Sequence, residues 1–323
     1  MRSRGRGLVR GEEGFALVAA LWLLVAFSVL GVGFSLRART YRLAAANGTE
    51  GAVARLSAEG ALAMAQSRLM RGARTRGNLA LRDPARSSDP WAETDTLLAD
   101  TVTIGQGRAV LAFEDLGAHL HLNQASEDDL RRFFRALRAD YGLADRLAQS
   151  IADWRDADRA HRPRGGEREL YLREGRAVLP ADAPFADLAD LQHVRGMTPE
   201  LFERAAPFLT LQGSGRINLA SAPREVLLSL PGFGEEAVNA LLRAREDHHP
   251  VGDLSALLPR ISSGPRETLQ KALPVLQGRV LFETTEILVT ATGWQDGSPA
   301  ARRVEAVFVR AGDAAFLTWS RTE

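Results

Sequence analysis

From Phe15 to Leu36 the chain runs 22 residues without a charge, FALVAALWLLVAFSVLGVGFSL. At about 1.5 Å per residue, a helix of that length spans roughly 33 Å, enough to cross a bilayer core. Beyond it the apolar positions thin to a helical stripe. Ala58, Leu62, Ala65 and Leu69 fall at i, i+4, i+7 and i+11. Gly48, Gly51 and Gly60 weaken that stretch by up to about 1 kcal/mol each relative to alanine. The pattern predicts one long helix from Phe15 to about Met70, with interruptions allowed at the glycines and its later half laid on a sheet.

Arg71 to Asp89, rich in Arg, Gly, Asp and Ser, reads as a loop. Two strands follow, Thr101-Ile104 and Arg108-Phe113, joined as a hairpin by Gly105-Gln106-Gly107. From Ser126 to about Val275 the periodicity is helical and punctuated by Gly and Pro. Strand-like runs then return at Thr285-Thr292, Val304-Arg310 and Phe316-Trp319. A sheet is thus begun before the helical segment and completed after it. The fold class is α+β, with a large all-α insertion of helix-hairpin-helix or SAM-like character.

Charge orients the N-terminal helix. Arg2, Arg4, Arg6 and Arg10 precede the apolar run, which places the N-terminus in the cytoplasm and everything after Arg37 across the membrane. The leader is net +2 in a 323-residue chain of net +1, so the rest is about −1 and offers no field for nucleic acid or an anionic surface. No cysteine is present, which excludes disulfides, thiolate catalysis and cysteine zinc sites. His119 and His121, and the adjacent His248 and His249, lack a third ligand at metal spacing. Ser221 has no nucleophile-elbow context and reads as a helix cap, and no glycine-rich phosphate loop follows a strand. The chain is expected not to be an enzyme.

The junction Glu12-Glu13-Gly14-Phe15 carries more specific information. A secretory signal is cut beyond its apolar core after small residues, and no such pattern follows Leu36. A basic leader ending in Gly and then Phe resembles the signal of type IV pilins and pseudopilins. The resemblance implies cutting after Gly14 by a prepilin peptidase, methylation of the new N-terminal Phe15, and retention of the helix. Most such subunits carry Glu at the fifth mature position, where this chain has Ala19. A carboxylate in lipid is costly, and the family uses it to pair with a neighbouring subunit's N-terminal amine. Within type II secretion, the pseudopilin without it is general secretion pathway protein K, placed at the tip.

Inside the insertion Leu122-Asn123-Gln124-Ala125-Ser126 recurs as Ile217-Asn218-Leu219-Ala220-Ser221. Each Ser reads as an N-cap, Ser126 with Asp129 approximates a capping box, and Pro223 suits the first turn of the second helix. Leu230-Pro231-Gly232-Phe233-Gly234 then forms a helix-hairpin-helix turn, and Val194 to Pro199 a related one. Such turns bind DNA phosphates in membrane-anchored competence proteins, which is one reading of Pro231, Gly232 and Gly234. The other is that the glycines only permit a tight interhelical turn. Glu235 and Glu236 directly after it oppose a phosphate and favour the second reading.

The run Ile151 to Asp158 holds Asp153, Asp156 and Asp158, followed by Gly165-Gly166-Glu167 and Tyr171. These carboxylates are candidate calcium ligands, interleaved with Arg155, Arg159, Arg162 and Arg164 that make internal salt bridges the plainer reading. The same stretch, with INLASA–LPGFG and Val194 to Leu211, resembles the α domain of type II secretion K subunits. Some of those bind calcium, which the resemblance permits here. It also implies the organisation: leader 1–14, transmembrane helix 15–36, pilin-like helix and first strands 37–122, inserted α domain with two related modules 123–276, returning strands 277–323. The expected function is a minor pseudopilin that caps the tip of the periplasmic pseudopilus and helps initiate its assembly. Implied partners are the other minor pseudopilins, the major pseudopilin, the prepilin peptidase and the inner membrane, with outer-membrane secretin or cargo weaker. The alternatives are a competence-type DNA-binding protein and a type IV pilus tip minor pilin.

Overall fold

The computed structural model describes residues 12–80, 91, 101–247 and 251–323, with backbone alone at 12–16 and 72–80. Helix α1, Glu12–Ala80, is continuous over 69 residues, about 100 Å of rise. It extends past Met70, so Arg71–Ala80 is helix where a loop was expected; the remainder of that expected loop lies outside the described residues. The glycines do not break the helix. Gly60 earns its place by contact: a Cβ there would stand 2.7 Å from Ile104 Cγ2.

One face of α1 packs on a five-stranded antiparallel sheet. In chain order the strands are β1 Val102–Ile104, β2 Gly107–Asp115, β7 Glu286–Trp294, β8 Ala301–Ala311 and β9 Ala314–Thr322, and they are adjacent in that same order. Gly105 and Gln106 alone make the first turn, because Gly107 already pairs with Ile104. The helix contributes Ala54, Ala58, Ala61, Ala65 and Leu69, all buried. Alternate strand residues meet them, among them Leu111, Val289, Ala291, Ala306 and Phe308. Leu62, expected on this stripe, lies at its margin, and Ala61 takes its place. Alanines on the helix and Gly293 on β7 let the two backbones approach closely. A Cβ at Gly293 would collide with Ala54 O and Ala58 N.

Strands β2 and β7 are hydrogen-bonded neighbours, with Asp115 opposite Ile287. The chain between them therefore leaves and returns at one end of the sheet. That end is the one remote from the apolar part of α1. Gly107 and Gly293, at the opposite end of β2 and β7, touch Val53–Ala58, whereas Gln66 Nε2 donates to Ala315 O farther along the helix. The Asp115 carboxylate joins both stems: it accepts from Gly117 N, from Asn218 Nδ2 at 2.7 Å, from Ser221 Oγ at 2.6 Å and from Thr284 Oγ1 at 3.2 Å.

The segment between the stems contains two modules around one shared core that runs from Leu120 to Val280. The first comprises β3 Leu120–His121, α2 Glu127–Ala136, α3 Tyr141–Arg155, α4 Arg168–Arg173, α5 Pro199–Ala205 and β4 Leu209–Thr210. The second comprises β5 Ile217–Asn218, α6 Arg224–Leu227, α7 Glu235–Glu246, α8 Ser263–Leu276 and β6 Val280–Leu281. Each closes on itself through a two-residue parallel pair, β3 with β4 and β5 with β6. The insertion is therefore helical but not all-α.

The repeat is real, and its register differs from the sequence expectation by two residues. Leu122 N donates to Thr210 O in the first module, and Leu219 N donates to Leu281 O in the second. Leu122 thus matches Leu219, and Ser126 matches Pro223 rather than Ser221. Pro223 is itself the N-cap of α6, and Ser221 caps nothing because its hydroxyl is spent on Asp115. The similarity of LNQAS to INLAS aligned the asparagines, but Asn123 and Asn218 play different parts. Asn123 brackets Phe185 through its N–H and C=O, and Asn218 reaches Asp115.

Candidate functional site

Three places carry the functional expectations: the apolar part of α1, the Pro231–Gly234 turn and the acidic run after α3.

Among the described residues, nothing packs against residues 17–36 of α1. Leu17, Leu21, Trp22, Leu24, Phe27, Leu30 and Phe34 are all exposed, and this is one helix long and apolar enough to cross a membrane. A helix apolar on every side and covered by no protein needs a lipid or protein environment. Ala19 lies on it as expected, offering no carboxylate. Gly14 and Phe15 fall within the helical backbone, while their side chains and residues 1–11 are outside the described residues.

The turn joins α6 to α7. Gly232 has φ +75° and a Cβ there would be 2.6 Å from Ala272 Cβ and 3.1 Å from Leu269 Cα. The turn is thus pressed onto α8, and Pro231 and Gly232 are half-buried. Gly234 is the N-cap of α7 without a side-chain bond. Both glutamates after it are engaged, Glu235 with Arg224 and Glu236 with Ser262 N and Oγ. This geometry matches the packing reading of the glycines. The related turn is also present: Gly196 has φ +92°, Thr198 caps α5 and Pro199 opens it.

The acidic run is split in two. Asp153, fully buried near the end of α3, belongs to Arg162, which donates through its backbone N–H and through Nη1 at 2.5 Å. Gly165 makes that closure feasible, since a Cβ there would collide with the Asp153 carboxylate. Arg162 Nη1 also reaches Asp156 Oδ2 at 2.7 Å. Salt bridges therefore account for Asp153 and half of Asp156.

They do not account for the rest. Oxygens of Asp156, Asp158 and Glu167 lie within 4.8 Å of one another. Glu167 is only 5% exposed, yet both of its carboxylate oxygens lack a hydrogen-bond partner, as does Asp156 Oδ1. Burial, then the charges of Asp153, Asp156, Asp182 and Asp158, push Glu167 up to about 7. Asp182, at φ +51°, adds another buried, unpartnered Oδ1. Buried carboxylate oxygens without donors among the described residues are costly, and such oxygens are of the kind a cation would satisfy. Asp153 thus drops out of the candidate ligand set, which narrows to Asp156, Asp158 and Glu167, while Asp182 acts on Glu167 through its charge. No spacing signal marked Asp182, which lies in a Pro-rich stretch and is brought close only by folding.

Aromatic rings adjoin Asp153 and Glu167 in the chain. Trp154 stacks on Phe185 at 5.7 Å and meets Tyr171 edge-on at 6.0 Å. The Tyr171 hydroxyl accepts from Arg195 N at 2.8 Å, and burial pushes its pKa up to about 12. Of the histidines, His119 Nε2 lies 3.2 Å from Glu114 and His121 is buried with its Nδ1 accepting from Asn123 N, so the two are not joined in a site. His248 and His249 are outside the described residues.

Comparison with known proteins gives a consistent answer. A family model described as type II secretion system, protein K, matches residues 111–213, which is β2, the first module and the turn after β4. Type II secretion system protein K of Pseudomonas aeruginosa is 26% identical over 271 residues, 79% of this chain and 79% of that protein. The Klebsiella pneumoniae protein of the same name is 25% identical over 61% of this chain and 62% of its own length. Among solved structures, a chain in the crystal structure of the GspK-GspI-GspJ complex from enterotoxigenic Escherichia coli has a TM-score of 0.56 at 18% identity, covering 82% of this chain and 95% of that one.

Proposed function

We infer that the chain, a member of the type II secretion system protein K family, works as a minor pseudopilin at the tip of that system's pseudopilus. The minor-pseudopilin role itself rests on the matches to protein K over most of the chain's length. The placement at the tip is the further step. One observation carries it: the 116–285 segment hangs from the end of the sheet farthest from the apolar part of α1. In an array of parallel helices rooted in a membrane, such a mass stands above the sheet and obstructs any subunit stacking over it. Ala19 agrees, since a subunit with none above has no amine to pair.

By this reading α1 is held in the inner membrane with its N-terminus cytoplasmic and its C-terminal part periplasmic. A prepilin peptidase releases the leader at Gly14, freeing Phe15. Partners are two other minor pseudopilins, as in the GspK-GspI-GspJ complex of the structural relative, and then the major pseudopilin. The role is structural, helping to initiate the pseudopilus, without enzymatic chemistry. Mass spectrometry of the membrane-inserted protein, with and without a prepilin peptidase, tests the assignment. Loss of residues 1–14 is expected; an intact leader under a peptidase that cuts a control pseudopilin overturns it. Retention of DNA by residues 37–323, lost at moderate salt, would instead support the competence-type alternative.

A second element rests on its own observation, the clustered oxygens of Glu167 and Asp156 that have no donor among the described residues. These, with Asp158, would hold a calcium ion, which suits clustered carboxylate oxygens better than magnesium, which keeps its waters. The ion would neutralise the pocket and fix the loop after α3 against α4.

A further inference from the structure

Between the apolar run and the sheet, α1 crosses a stretch that none of the described residues covers. Contact with the sheet region begins at Glu50, which accepts from Ser298 Oγ in the turn between β7 and β8, about 20 Å along the helix from Arg37. Arg37, Arg39 and Arg42 open this stretch directly after Leu36. They are exposed, form no ion pair or hydrogen bond with other described residues, and face no acidic residue before Glu50. At about 100° per residue Arg37 projects roughly 140–160° away from Arg39 and Arg42, with exposed Tyr41 nearest Arg37. The cations thus encircle the helix instead of forming one stripe.

We propose that Arg37, Arg39, Arg42 and Tyr41 form a collar that binds the phosphates of anionic lipid headgroups where α1 leaves the bilayer. The proposal rests on the membrane-spanning reading of residues 15–36. A stripe of arginines would suit an acidic face on one neighbouring protein, whereas charge on opposite sides of a lone helix suits a medium that surrounds it. Arginines at the end of a span meet lipid phosphates with their planar forks, and a tyrosine ring settles at the same depth. The collar sets how far α1 sits in the membrane and keeps the sheet about 20 Å above the headgroups.

The test uses the full chain in vesicles of phosphatidylcholine with a minority of phosphatidylglycerol. A photo-crosslinker replaces Leu43, which is exposed one residue beyond the collar. Captured lipids are identified by mass spectrometry. Phosphatidylglycerol should be enriched about threefold or more over its share of the bilayer. Enrichment should vanish in the Arg37→Gln, Arg39→Gln, Arg42→Gln triple variant and survive in the corresponding triple lysine variant. Capture at the bulk lipid ratio, or no lipid captured although the protein floats with the vesicles, overturns the collar. Failure of wild type and variant alike to float with vesicles of pure phosphatidylcholine overturns the membrane span itself. Flotation and crosslinking therefore separate the two readings.

Discussion

The two modules of the insertion share one design and differ where function enters. Each begins on a strand of two residues, turns through a helical hairpin, and returns through a 3-10 segment capped by an aspartate, Asp187 or Asp253. In each, an arginine at the end of the second helix reaches back to the turn that opened the module. Arg155 donates to Leu122 O and Ala125 O, and Arg245 donates to Leu219 O and Ala222 O. Between that arginine and the capping aspartate, however, the first module has residues 156–186 and the second only 246–252. The longer excursion brings α4, Tyr171 and the unpaired acidic pocket. The shared parts are therefore scaffold, and among the described residues the excursion alone carries the acidic cluster on which the calcium proposal rests.

Breaking the arginine clamps should have the largest effect, because they hold both copies closed. Arg245 makes three donor contacts to backbone carbonyls without a carboxylate partner, and burial lowers its pKa to about 10. Arg245→Ala removes charge-assisted bonds and strands two carbonyls, an expected loss of about 3–5 kcal/mol in urea unfolding. Arg155→Ala should cost less, since burial and the neighbouring charge of Arg162 already oppose its own charge. A loss below about 1 kcal/mol for Arg245→Ala would show that the β5–β6 pair closes the module unaided.

The hairpin turns sharpen the comparison. Both use a left-handed residue, Arg138 at φ +64° in the first module and Gly232 at φ +75° in the second. Arg138 is exposed, so its side chain has room; Gly232 is pressed on Ala272 and Leu269. Gly232→Ala combines a strained φ with a collision and should cost about 2–4 kcal/mol. Arg138→Gly should change stability by less than about 1 kcal/mol, as relief of φ strain offsets a floppier unfolded chain. Equal effects in the two variants, measured by thermal melts, would mean that φ and not packing selects the glycine.

Much of this was legible in the sequence, and the failures have physical causes. The apolar run, strand alternation and the Ser126–Asp129 capping box are local signals, and the structure keeps them: Ser126 accepts from Asp129 N, and Asp129 accepts from Ser126 N. The extension of α1 to Ala80 escaped because Arg71–Ala80 has no apolar stripe to mark it. The repeat was visible but misaligned, since its conserved geometry lies in backbone bonds from Leu122 and Leu219 while matching side chains stand two residues off. Pairings across long separations left no trace. Asp115 with Asn218, and Asp156 beside Glu167, depend on the fold to bring them together.

Removing the charge at Glu167 tests whether the excursion exists to hold a cation. Without an ion Glu167 is a buried carboxyl among four aspartates, so Glu167→Gln should raise the melting temperature in chelator. With calcium the order should reverse. Wild type should gain about 2.7 kcal/mol at a hundredfold excess over Kd, and the variant much less. Magnesium should substitute poorly. A gain equal in both proteins would place the ion elsewhere, and Asp253 variants in the second module serve as the control.

The smallest effect sits at the interface of the modules, where Asp129 of the first corresponds to Val226 of the second. Val226 is buried among apolar groups, and its helix has no side-chain cap. Asp129 is equally buried, but it caps α2 with Ser126 and pairs with Arg132 at 2.7 Å and with Arg279 of the second module at 2.6 Å. Burial works to raise its pKa, yet the Ser126 bonds and Arg279 prevail and hold it below the ordinary value of 3.8. A carboxylate depressed on folding contributes stability above its unfolded pKa and loses it as pH falls through the folded one. Asp129→Asn should therefore cost about 1–2 kcal/mol at pH 7. The gap to wild type should narrow only as pH drops below about 4, where the folded carboxylate takes up its proton. A gap that stays constant to pH 2 would assign the whole effect to the cap's hydrogen bonds, which asparagine alters at every pH, and none to the charge that ties the first module to Arg279 of the second.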